Sequence, residues 1–173
     1  MCRAVSVALL LLVVASQAGA QSDTARRERE GWIIGASVGV PGYGRESAPE
    51  LFTVGVQWTQ LRRGRLGADF SLGTMPRLIG EGVVPVALRG GLALPLAVTP
   101  DFLVVPSAGA SLFGGVGAEG IGGLVGVNGG VATVIWTGPV GFRTGVTWHG
   151  FQNFRGSIWL VEVGVVGVTQ WWR

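Results

Sequence analysis

Residues 157–172 read S-I-W-L-V-E-V-G-V-V-G-V-T-Q-W-W, and taking every second residue separates two unlike faces. Trp159, Val161, Val163, Val165, Gly167, Thr169 and Trp171 form one, and Ile158, Leu160, Glu162, Gly164, Val166, Val168 and Gln170 the other. A period of two belongs to a β-strand, whose side chains alternate across its pleat. The first face is apolar with a tryptophan near each end; the second carries a lone carboxylate. Aromatics bracketing an apolar band suit a strand that crosses a bilayer, because their amphipathic rings rest at the two interfaces.

The pattern recurs upstream. Residues 31–40 set Trp32, Ile34, Ala36, Val38 and Val40 against Ile33, Gly35, Ser37 and Gly39. Residues 51–59 set Phe52, Val54, Val56 and Trp58 against Thr53, Gly55, Gln57 and Thr59, and residues 65–74 set Leu66, Ala68, Phe70 and Leu72 against Gly67, Asp69, Ser71 and Gly73. Residues 83–96, 102–112 and 140–148 alternate in the same way. Residues 124–137 are less regular: Val125, Val127, Val131 and Ile135 share one parity and Val134 and Trp136 the other, as if a bulge at Gly129-Gly130 switched faces. Gly122, Gly126 and Gly130 also have the spacing of a small-residue helix-packing motif. One such helix would leave seven alternating segments unexplained. The reading is eight strands.

Composition points the same way. Only 13% of the 173 residues are charged, against the roughly 25–35% a soluble surface usually carries. The length suits one domain. The formal charge of +3 comes from arginine alone, and Arg26, Arg27, Arg29, Arg62, Arg63 and Arg65 lie in short segments interrupted by acids or glycine. No basic stripe interleaved with aromatics results, which argues against nucleic acid as a partner. Residues 1–20 have the form of a cleaved secretory signal: Arg3, an apolar run from Ala4 to Ala15, and Ala18-Gly19-Ala20 before Gln21. Residues 21–30 form a charged leader, and residues 31–173 the barrel domain. The only cysteine, Cys2, precedes the apolar run, so the mature chain has neither disulfides nor thiolate metal sites.

The connections alternate in length. Residues 41–50, 75–82, 114–123 and 149–156 form long ones, and residues 60–64, 97–101 and 138–139 short ones. Transmembrane barrels have an even strand number, short periplasmic turns and longer outer loops. With the N-terminus periplasmic, Trp32, Trp58, Phe102, Trp136 and Trp171 fall at the inner ends of strands and Phe52, Trp148 and Trp159 at the outer ends. These make two aromatic girdles, with Tyr43, Phe113, Phe151 and Phe154 just beyond the outer one. A soluble carrier barrel would reverse the faces and leave its wet side almost uncharged. The four charges well inside strands decide between the two: Asp69, Arg89, Arg143 and Glu162 all lie on the small-residue face. An arginine at the lipid midplane costs about 2–4 kcal/mol.

A cleavable signal, eight alternating segments, alternately short and long connections and a last strand ending in aromatics together resemble the small outer-membrane β-barrel family of the OmpA/OmpX type. The resemblance covers residues 31–173. It implies an all-β, eight-stranded antiparallel up-and-down transmembrane β-barrel in the outer membrane. It also implies a terminal aromatic read by the barrel-assembly machinery. Trp171, in phase with the apolar face, fills that place, although Arg173 follows.

Hairpin arithmetic locates the inward charges. A hairpin centred on residue 79 sets Asp69 opposite Arg89, and one centred between residues 152 and 153 sets Arg143 opposite Glu162. The two pairs would stand on opposite walls, either joined across the lumen or solvated separately. Buried charges persist when paired and hydrogen-bonded. His149, the single histidine, is placed at the rim of the last outer loop with no serine beside it in sequence, and residues 114–123 read as a flexible glycine-rich loop lacking the lysine of a phosphate loop. No catalytic, cofactor or metal residues are assigned. The expected role is structural or surface contact, with outer-membrane lipid as surroundings. A lipid-modifying enzyme and a narrow channel are the alternatives.

Overall fold

The computed structural model describes residues 31–44, 46–62, 65–118, 120–137, 139–151 and 157–169. The signal and leader assigned to residues 1–30, the girdle position Trp171 and the chain end at Arg173 lie outside them. Eight long strands run up and down: β1 (Gly31–Tyr43), β2 (Thr53–Leu61), β3 (Gly67–Thr74) and β4 (Val84–Ala93), then β5 (Phe102–Gly117), β6 (Gly120–Thr137), β7 (Val140–Phe151) and β8 (Ser157–Thr169). Each pairs antiparallel with the next, and β8 closes on β1 from Trp32↔Thr169 to Tyr43↔Ile158. Closure removes the sheet edges that would otherwise need backbone partners. Smaller pieces decorate the rims. Glu46–Ser47 folds back on β1, Pro49–Leu51 forms a 3-10 turn, Pro76–Gly80 forms a short helix, and Leu96–Thr99 pairs with the start of β5.

Alternation sorts the side chains as the sequence implies. Val56, Phe70, Leu88, Ile135, Phe142 and Val163 are exposed on the outside, while Gln57, Asp69, Arg89, Asn128, Arg143 and Thr147 are buried inside. On the outward face Thr133 Oγ1 and Thr144 Oγ1 are hydrogen-bonded to each other across β6 and β7 at 3.0 Å.

Four expectations are corrected. β6 has no bulge: its register with β5 is unbroken from Phe102↔Ile135 to Gly117↔Gly120, and Gly129 and Gly130 continue the strand. Val134 and Trp136 therefore face inward, where they join Ile33, Leu61, Leu103 and Val105 in an apolar plug. Trp136 is only 5% exposed and belongs to this plug rather than to a girdle; the barrel narrows its bore with large side chains at the end where the chain enters. The described part of residues 114–123 is not a flexible loop but the top of a β5–β6 hairpin, with β5 running to Gly117 and β6 starting at Gly120. Finally, β7 runs on to Phe151, so alternation carries His149 and Phe151 into the lumen instead of onto the rim. Phe113 is likewise an inward strand residue. No helix among the described residues is long and apolar enough to cross a membrane.

The remaining girdle positions with described side chains lie where the parity puts them. Trp32, Trp58 and Phe102 are on the outside near the plugged end. At the opposite end, Trp148 is exposed on β7, Trp159 lies on the outward face of β8, and Phe52 is exposed just before β2. Trp159 also donates its indole Nε1–H to the Gly44 carbonyl at 3.0 Å, tying the start of β8 to the turn after β1.

Candidate functional site in the lumen

The lumen is layered along its axis, and the chemistry lies above the plug. Arg89 on β4 is the hub. Its Nη1 donates to Thr147 Oγ1 on β7 at 2.7 Å and stands 3.2 Å from Glu162 Oε2 on β8. Its Nε lies 3.9 Å from Asp69 Oδ2 on β3. That contact is an ion pair and not a hydrogen bond; Asp69 accepts its hydrogen bond at 2.6 Å from the Thr59 hydroxyl on β2. One guanidinium on β4 thus reaches groups on three other strands, and Asp69 extends the network to Thr59 on a fifth. An eight-stranded barrel is just wide enough for side chains to fill, and a long arginine spans it.

The pairing differs from the hairpin arithmetic in an instructive way. β3 and β4 pair with Asp69 opposite Gly91 and Ser71 opposite Arg89. β7 and β8 pair with Glu162 opposite Gly145 and Gly164 opposite Arg143. Each register is shifted by two residues from the expected one. A shift of two keeps every side chain on its face, whereas a shift of one would have reversed them all. It nevertheless moves the expected partners to diagonal positions. Glu162 accordingly pairs with Arg89 from the opposite wall, and Arg143 makes no ion pair with any described residue. Arg143 stays buried nearby, with Nη1 lacking a hydrogen-bond partner. Three of the four charges, Asp69, Arg89 and Glu162, form one asymmetric network rather than two wall pairs, and Arg143 lies beside it.

Toward the loop end lies a second polar group that sequence reasoning missed. His149 is 1% exposed. Its Nδ1 lies 2.8 Å from Ser111 Oγ on β5, and Asn128 Nδ2 on β6 donates to the same oxygen at 2.9 Å. A serine hydroxyl can donate one hydrogen bond and accept two, so the direction of the Ser111–His149 bond follows the imidazole tautomer, while His149 Nε2 is buried without a hydrogen-bond partner. Phe113 meets the imidazole edge-on at 5.1 Å, and Phe151 lies parallel to it at 6.3 Å. The signal was available: continuing the β7 alternation one residue past Trp148 turns His149 toward the face that carries Ser111.

This arrangement leaves little room. A cavity of about 30 Å³ touches Arg89, His149, Glu162, Phe113 and Thr53, space for one or two water molecules. A shallower apolar hollow of about 330 Å³ opens at the loop end between Met75, Leu78, Val83, Phe113 and Leu124. Ser111 and His149 are buried among aromatic rings with no acid bonded to the imidazole, a geometry that suits a packed polar core better than a nucleophile. Among the described residues no group of three His, Cys, Asp or Glu is arranged to hold a metal.

No family model and no curated protein matches the chain. Solved structures do. The N-terminal β-barrel domain of Pseudomonas aeruginosa OprF is similar with a TM-score of 0.58 at 12% identity, covering 81% of this chain and 98% of that one. Neisserial surface protein A is similar with a TM-score of 0.58 at 10% identity, covering 83% and 100%. Ail, the attachment invasion locus protein of Yersinia pestis, is similar with a TM-score of 0.56 at 7% identity, covering 80% and 97%. At these identities the likeness is one of fold: a closed, eight-stranded, antiparallel barrel of the small outer-membrane type.

Proposed function

We propose that this eight-stranded barrel is an integral outer-membrane protein with a structural or surface-contact role, and that its lumen is packed rather than conducting. The observation that carries the reading is the inversion of a soluble core. Large apolar residues cover the outside without a described charge on the lipid-facing parity of the strands, while the buried Asp69–Arg89–Glu162 network sits inside above the Trp136 plug. Lipid rewards that outside and water does not.

Hydrophobic constrictions and obstructing charges both oppose ion flow. Secretion by a cleaved signal and assembly through an aromatic in the C-terminal sequence that follows β8 complete the proposal, with Trp171 as the residue read. The absence of catalysis is part of it too, since both partners of the Ser111–His149 contact turn away from lipid.

Detergent-extracted protein is expected to migrate differently on a gel before and after boiling, because a closed barrel resists unfolding by cold detergent. Planar bilayers containing it are expected to stay electrically silent. Unchanged migration would refute the barrel in the membrane, and a large stable conductance would refute the packed lumen. Hydrolysis of a lipid substrate that His149→Ala abolishes would replace the structural role with an enzymatic one.

A further inference from the structure

The apolar outside is not of even height. On β5 the outward residues run without a charge from Phe102 through Ala108 and Leu112 to Val116, about fourteen residue steps. On β6 they return from Ile121 through Val125 and Val131 to Ile135. A rise of about 3.4 Å per residue and a tilt of about 40° make that wall roughly 36 Å tall. The wall at β2 and β3 is much lower. Outward apolar residues extend only from Phe52 to Trp58 and from Leu66 to Leu72, roughly 16 Å by the same conversion. The apolar band of such barrels is about 25 Å, so one wall exceeds it and the other falls short.

Charge marks where each wall ends. Just past β3, the helix Pro76–Gly80 carries Arg77, ion-paired at 3.4 Å with Glu81 and half exposed. Water or headgroups must therefore begin there. The β5–β6 hairpin shows no such marker below its turn; Ile121 is 85% exposed and Val125 65%. Its outward face is continuous, residue by residue, with the face that meets lipid lower down.

We infer that the top of the β5–β6 hairpin, Val116 and Ile121 to Val125, is a lipid-contacting surface. The barrel leans and the bilayer thins along β2 and β3, so that the hairpin's apolar face is immersed in the outer leaflet instead of standing in water. The occupant is lipid acyl chain, and the inference rests on the membrane reading above. Mismatch of this kind is accommodated by tilt and local thinning at modest cost.

The test places one nitroxide at a time on the full chain in a Cys2→Ser background, as Ile121→Cys, Val163→Cys or Arg77→Cys, in phospholipid vesicles. All three sites are exposed, so the labels displace no core, and heat-modifiable migration checks folding. Accessibility to oxygen, which favours lipid, is compared with accessibility to a water-soluble nickel complex. Residue 121 is expected to shift toward oxygen as strongly as residue 163, with residue 77 on the nickel side. A nickel-accessible residue 121 beside a lipid-protected residue 163 overturns the immersed hairpin and leaves the barrel in the membrane. A nickel-accessible residue 163 overturns the membrane reading itself.

Discussion

Arg89 Nη1 on β4 lies 3.2 Å from Glu162 Oε2 on β8, two strands that share no backbone hydrogen bond and face each other across the bore. The contact fastens one wall to the other. Removing one member of a buried ion pair costs about 3–5 kcal/mol, because the remaining charge is left without compensation. Arg89→Leu strips the partner from two carboxylates, Glu162 and Asp69, whereas Glu162→Leu leaves Arg89 with Asp69. Urea unfolding in vesicles is therefore expected to show the greater loss for Arg89→Leu, with part of it regained in the Arg89→Leu/Glu162→Leu double variant. Losses that simply add would show that the two residues are uncoupled.

Trp136 and Trp148 make a matched pair for the plug. Trp136 is buried among Leu103, Val105 and Val134, while Trp148 lies exposed on the outside of β7. Truncating a buried tryptophan to alanine costs about 3–5 kcal/mol. Trp136→Ala is expected to lose that much in the same unfolding assay, and Trp148→Ala distinctly less. The reverse order would return Trp136 to the lipid face.

The neighbouring glycines of β6 should respond in opposite ways. A Cβ on Gly130 would meet the Val146 carbonyl oxygen at 2.7 Å and Thr147 Oγ1 at 2.9 Å, where a real Cβ does not fit. On Gly129 the nearest atom is the Ser107 oxygen at 3.9 Å, an ordinary contact on the outer face. Gly130→Val is expected to push Thr147 away from Arg89 and to lower stability or block folding, read by heat-modifiable migration. Gly129→Val is expected to fold normally. A bulge at this pair would blur that contrast.

Val163 faces outward near the middle of β8 and is exposed. Val163→Arg is expected to cost about 2–4 kcal/mol when the barrel folds into a bilayer. The same change should cost much less in a thin detergent micelle. An equal, small effect in both media would count against lipid at this position.

The strands were readable because alternation is a local property. Two faces of unlike polarity appear in residues 157–169 whatever they pair with, and the inward parity of Asp69, Arg89, Arg143 and Glu162 follows from counting by twos. Trp136 was misread because residues 124–137 hold apolar residues on both parities, and alternation cannot tell a lipid-facing valine from one that fills a plug. His149 was misread because a strand's end is set by pairing: β7 continues to Phe151 only because Gly126 and Val127 on β6 are there to receive Phe151 and Gly150.

The sequence by itself determined that eight segments alternate, that their large apolar residues share one face, and that four charges share the other. Those facts depend on the order of neighbours along one strand. Which charge meets which was decided only by the closed barrel. Register between strands, and contact across a bore between β4 and β8, depend on hairpin lengths and curvature that no single strand encodes. A shift of two residues left every face as expected and gave Glu162 to Arg89 instead of Arg143.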